Sequence, residues 1–104
     1  MLNQRKFERV STLADMWVSW TVGGRTLVSL VSNLGLGGVF ILTPNPESLG
    51  SKVALRFVVK EGEIRVGGVV RYSKSGKGMG VEFANVPERD IGRLHRLVQR
   101  MLQA

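Results

Sequence analysis

Met16, Val18, Trp20 and Val22 alternate with Trp17, Ser19 and Thr21, the period of two that marks a half-buried strand. Gly23-Gly24 follows and predicts a tight hairpin turn, since both glycines can take positive φ without steric cost, so that residues 27–32 form the return strand. The segment SNLGLGG is too rich in glycine for the interior of a strand or helix, and it predicts a loop feeding a short buried strand over 39–42. Residues 43–50, with Pro44 and Pro46, form a connection. Val53, Leu55, Phe57 and Val59 then alternate with Ala54, Arg56 and Val58 as a fourth strand. Glu61-Gly62 turns the chain, and Ile64, Val66, Gly68, Val70 and Tyr72 define one face of a fifth. The adjacent Gly67 and Gly68 predict a bulge or bend inside it. After a polar turn over 73–78, Met79, Val81 and Phe83 give a sixth. Short strands at near-regular spacing, joined by hairpin turns, predict a mainly β fold: a six-stranded antiparallel β-barrel.

The period then changes. Ile91, Leu94, Val98, Met101 and Leu102 recur at helical spacing, which predicts a C-terminal α-helix over 87–103 that covers the barrel with its apolar face. Pro87 suits a helix start. His95 falls beside Leu94 and Val98 and is read as a packing histidine. Arg89, Arg93, Arg96 and Arg100 fall within an arc of roughly 60° on a helical wheel, and are read as a stripe facing away from the barrel, either a solvated surface or a dock for an acidic partner. Within its 104 residues the chain is one domain: a flexible basic arm over 1–12, the barrel over 13–84, and the helix.

Charge and composition narrow the chemistry. The chain has no cysteine and a single histidine, so thiol catalysis, thiolate metal sites and designs needing two imidazoles are all excluded. No catalytic carboxylate pair, phosphate loop or nucleophile elbow is present, and neither an enzyme nor a metal cofactor is expected. Residues 26–46 carry no charge, yet their glycines, prolines and hydroxyl side chains break up every apolar run, so no membrane span is predicted. The N-terminus has no apolar signal region, and a cytoplasmic protein is expected. Fifteen Lys and Arg against eight Asp and Glu leave a net charge of +7, which points to anionic partners.

Two motifs answer to that charge. Arg5 and Arg9 lie four apart, and the run from Asn33 to Gly38 supplies a side-chain amide with unobstructed backbone N–H groups. Arginine forks bind phosphates and guanine edges in bidentate fashion, and glycine lets the backbone approach a ligand. Arg5-x-x-x-Arg9, one strand hairpin, then Asn33-x-Gly35-x-x-Gly38 running into Val39-Phe40-Ile41 resembles the PilZ domain, whose signatures are RxxxR and [DN]xSxxG. Gly78-Met79-Gly80-Val81-Glu82-Phe83 is similar to that family's closing strand, and the likeness covers almost the whole chain.

The resemblance implies a non-enzymatic bacterial receptor for cyclic di-GMP that relays the second messenger to motility or exopolysaccharide and biofilm machinery through a protein partner. Arg5 and Arg9 match the arginines that hold phosphates and guanines, Asn33 the position on a guanine edge, and Gly38 the final glycine. Gly35 stands where the family usually has serine. A register shifted to Ser32 and Gly35 restores the serine but puts Leu30 at the amide position. Arg71 or Tyr72, at the end of the fifth predicted strand, is a further candidate contact, and Arg71 is included with Arg5, Arg9, Asn33, Gly35 and Gly38 in the expected ligand set. Two other readings compete. One is a PilZ-like scaffold that no longer binds the dinucleotide. The other is a basic barrel for single-stranded nucleic acid, which needs exposed aromatics such as Trp17 and Tyr72.

Overall fold

The structure, a computed structural model, describes residues 16–103 and, as backbone, residues 9–11. Its elements are β1 (Arg9–Ser11), β2 (Trp17–Val22), β3 (Arg25–Gly35), β4 (Gly38–Leu42), β5 (Lys52–Val59), β6 (Gly62–Lys74), β7 (Gly78–Asn85) and α1 (Glu88–Leu102). All pairings are antiparallel and run β3-β2-β5-β6-β7-β4, and the β3–β4 pairing closes the six strands into a barrel. The mainly β architecture with one C-terminal helix is the one the alternation predicts. Closure matters physically, since it leaves no unpaired strand edge on the barrel itself.

Inward positions follow the period of two. Val18, Trp20, Val53, Leu55, Phe57, Ile64, Val66, Val70 and Val81 are all buried, so the interior is a packed core and not a channel. The Trp20 indole N–H, carried into that core, donates to Ser29 Oγ at 3.0 Å, which avoids the cost of a buried unpaired donor. The bulge predicted at Gly67-Gly68 is present as a register shift against β7. A Cβ at Gly68 would lie 2.5 Å from Val81 Cγ1, so no larger residue fits where the strand bends into the core.

Two segments differ from the sequence reading. SNLGLGG is not a loop: β3 runs through Gly35, β4 begins at Gly38, and only Leu36-Gly37 turn between them. Its glycines take part in the sheet: Gly35 opposes Arg9 on β1, Gly38 opposes Glu82 on β7, and the Gly37 carbonyl accepts from the Phe83 N–H at 2.9 Å. The end of the basic arm, Arg9–Ser11, pairs with β3 as a short added strand. The rest of the segment, residues 1–8 and 12, lies outside the described residues.

The helix buries Asp90, Leu94, Leu97, Val98 and Met101, while Ile91, Leu102 and His95 are exposed. His95 therefore does not pack as expected; Leu97 takes that face and rotates the buried arc away from it. The same rotation splits the arginine stripe. Arg93 and Arg100 flank Leu97 and turn toward the β5–β6 hairpin, where Arg93 Nη1 donates to the Glu63 carbonyl at 2.8 Å and Arg100 makes two bonds to the Glu61 carboxylate at 2.6 and 3.0 Å. Arg89 and Arg96 are exposed. Hydrogen bonds from the Arg100 guanidinium hold the Glu61 carboxyl below its ordinary range.

Candidate functional site

Next to the turn between β3 and β4, the structure sets Arg9, the last residue of the first sequence motif, beside the second motif. In the β1–β3 register Ser11 opposes Asn33 and Arg9 opposes Gly35. Asn33 in turn opposes Phe40 on β4, Phe40 opposes Gly80 on β7, and Gly80 opposes Tyr72 on β6. Directly paired residues share a face of a sheet, so Asn33, Phe40, Gly80 and Tyr72 form one outward row across four strands. Beside it runs a second row in which Gly38 opposes Glu82. Arg71 Nε donates to Glu82 Oε1 at 2.7 Å. Both partners are largely exposed, and such a pair is worth about 0–1 kcal/mol, so Arg71 can exchange Glu82 for another anion at little cost.

The structure thus gathers the backbone of Arg9 and the residues Asn33, Gly35, Gly38 and Arg71 on neighbouring strands of one surface; Arg5 lies outside the described residues. Asn33 is half-buried, with its Nδ2 at 3.5 Å from Ser32 Oγ. Ser32 itself occupies a bulge, since Val31 opposes Ile41 while Asn33 opposes Phe40. Leu30, the amide position of the shifted register, opposes Trp17 on β2 and is away from the β3–β4 turn.

Phe40 and Tyr72 are the residues the sequence did not mark out together. Their rings lie 5.8 Å apart at 34°, with Phe40 covered and Tyr72 42% exposed. Period-two alternation places Tyr72 inward with Val70. A second bulge overturns this: Val70 opposes Val81, Tyr72 opposes Gly80, and the extra residue Arg71 turns Tyr72 outward. No residue type in the sequence announces that bulge.

The glycines of the closing strand make room for the ring pair. A Cβ at Gly80 would stand 2.5 Å from Tyr72 Cε1, and one at Gly78 would stand 2.3 Å from the Ile41 carbonyl oxygen and 2.7 Å from Phe40 Cε2. Gly-x-Gly is therefore a floor on which Phe40 and Tyr72 lie. A profile of the PilZ domain matches residues 3–100. This chain belongs to the PilZ domain family.

Known structures agree on the fold. The PilZ domain of YcgR from Escherichia coli, solved with c-di-GMP, is 16% identical with a TM-score of 0.79, covering 97% of this chain and 93% of that one. The c-di-GMP complex of MrkH from K. pneumonia is 17% identical with a TM-score of 0.78, covering 98% of this chain and 54% of MrkH. The inhibitor of motility MotI from Bacillus subtilis is also 17% identical, with a TM-score of 0.76, covering 98% of this chain and 51% of MotI. This PilZ domain thus spans about half the length of MrkH and MotI. No curated relative matches the sequence. Among the described residues, no cluster of His, Asp and Glu suits a metal ion and no helix is long and apolar enough to cross a membrane.

Proposed function

We propose that this PilZ domain is a receptor for cyclic di-GMP, bound on the outer surface of β3, β4, β7 and β6 and gripped by the segment that ends in β1. The observation that carries this reading is the register of β1 against β3, which sets Arg9 opposite Gly35 and two positions from Asn33. Guanidinium groups at Arg5 and Arg9 serve the phosphates and the O6/N7 edges of guanine. Asn33 serves a further base edge, and the Leu36-Gly37 turn leaves the backbone open to close approach. Tyr72 adds a ring face against which a base stacks, and Arg71, released from Glu82, adds a second cation. The work is recognition alone, and no bond is made or broken.

Helix α1 packs against β6 and β1, so a ligand that engages the arm pulls on a segment the helix touches. Displacement of one packed element by a bound ligand is a recurrent switching device, and the output on this reading is a changed β1 and helix surface that a motility or exopolysaccharide component reads. Isothermal titration of the protein with cyclic di-GMP tests the reading, with the linear dinucleotide and GTP as controls. Saturable binding at micromolar concentration or tighter is expected, and Arg9→Ala should weaken it about tenfold or more by removing charge-assisted bonds worth about 1.5–3 kcal/mol. Absence of heat with the wild-type protein moves the assignment to a scaffold that acts through protein contacts.

A further inference from the structure

The opposite side of the barrel carries a surface that dinucleotide binding does not use. On the outer face of β2, β3 and β5, Trp17 is 51% exposed, Val28 62% and Val58 67%. Isolated exposed apolar residues need no explanation. These, however, sit on three adjacent strands: Val28 opposes Ser19, the outward neighbour of Trp17 on β2, and Ser19 opposes Arg56, the outward neighbour of Val58 on β5. Arg56 opposes Arg65 on β6. Glu63 accepts from both arginines, at 2.9 Å from Arg65 Nε, so one carboxylate is shared by two guanidinium groups and the pair keeps a net positive charge. Lys52 adds a third exposed cation on the same face of β5.

Next to the arginines the sheet is hollow. Thr21, Ala54, Gly67 and Asn85 oppose one another in one cross-strand row, and with Pro87 at the start of α1 they line a cleft of about 370 Å³. The floor is low because Ala54 and Gly67 present almost no side chain there. A concave slot beside an exposed indole and paired guanidinium groups has the composition of an interface centre, in which Trp and Arg are over-represented.

We propose that this face of β2, β3, β5 and the adjoining part of β6 docks an acidic segment of a partner protein, whose carboxylates meet Arg56 and Arg65 while an apolar side chain lies along Trp17 and enters the cleft. Charge complementarity selects this occupant. A second copy of the chain brings another net charge of +7 and is repelled. A flat anionic bilayer can meet the cations but leaves the cleft unfilled.

The test uses the whole 104-residue chain and a fluorescein-labelled peptide of repeated Asp-Leu-Glu-Phe units, with the Asn/Gln version of the same peptide as control. Saturable binding of the acidic peptide is expected by fluorescence anisotropy, weakened about tenfold by Trp17→Thr and measurably by Val58→Thr. Arg56→Gln combined with Arg65→Gln should abolish the preference for the acidic peptide over its neutral control. Both apolar changes lie on exposed strand positions and place there a β-branched threonine, which suits a strand, so thermal melting should be unaltered, and titration with cyclic di-GMP should give the wild-type affinity in every variant. Equal binding of the acidic and neutral peptides, acidic binding indifferent to Trp17→Thr and Val58→Thr, preference for phosphatidylserine vesicles over the peptide, or concentration-dependent dimerisation lost in Trp17→Thr would each overturn the proposal.

Discussion

Gly35 stands where the PilZ pattern usually carries serine, and the structure makes that difference testable. It lies in β3 opposite Arg9 and is not among the glycines with positive φ, so the backbone accepts a side chain there without left-handed strain. Restoring the hydroxyl by Gly35→Ser should add one hydrogen bond, about 0.5–1.5 kcal/mol, and tighten cyclic di-GMP binding about three- to tenfold in a calorimetric titration. Unchanged affinity in Gly35→Ser with loss in Ser32→Ala would assign the serine position to Ser32 instead. Another residue sets a pH dependence. Hydrogen bonds from Arg56, and then from Arg65, lower the Glu63 carboxyl from an ordinary 4.5 to about 2. A depressed carboxylate contributes stability that is fully present above its unfolded value and is lost as pH falls through its folded one. Thermal stability should therefore decline between about pH 4.5 and 2, and Glu63→Gln should flatten that part of the profile. An identical decline in Glu63→Gln would place the acid sensitivity elsewhere, with Glu61 the next carboxylate to examine.

At the scale of elements, the closing strand shows how tightly the candidate surface is built. Gly78 cannot accept a methyl group, because the Ile41 carbonyl that its Cβ would meet belongs to the paired strand and not to a movable side chain. Gly78→Ala should cost about 1–3 kcal/mol through overpacking, read as a drop in melting temperature of about 4–8 °C for each kcal/mol in a domain of this size. A variant that melts with the wild type would show that β4 and β7 can part without penalty. Much of this architecture was legible from residue patterns, because each barrel strand has a dry and a wet face and period two reports that directly. The β6 bend was legible too, from Gly67 and Gly68. What escaped were features set by register. The bulges at Ser32 and Arg71 each add one residue to a strand and so turn Asn33 and Tyr72 onto the surface they share, yet any polar residue can occupy a bulge. β1 escaped because three residues are too few to show alternation. The helix gave its period but not its rotation, which Leu97 fixes by its burial in the apolar core. That is why two arginines read as solvated hold the β5–β6 hairpin.

Over the whole molecule, the barrel separates two kinds of surface. One side, across β3, β4, β7 and β6, joins the motif residues to a tyrosine on a glycine floor; the other, across β3, β2 and β5, exposes Trp17 beside paired arginines. The two exposed aromatics named as candidates for nucleic-acid stacking thus sit on separate rows of the barrel, Trp17 opposite Leu30 and Tyr72 opposite Gly80, and do not form one continuous stacking track of the kind single strands use. With a net charge of +7, non-specific attraction of any anion is expected at low ionic strength, and it fades as added salt shortens the screening length to about 10 Å near 0.1 M. The location of binding, more than its occurrence, therefore tests the account. The most direct measurement is an amide chemical-shift titration of isotopically labelled protein with cyclic di-GMP at moderate salt. Saturable shifts concentrated at 33–40, 71–72 and 80–82 are predicted, with residues 17–21 and 54–58 unmoved. Shifts centred instead on residues 17–21 and 54–58, or linear drift without saturation, would contradict a dinucleotide site on the β3–β4–β7–β6 face.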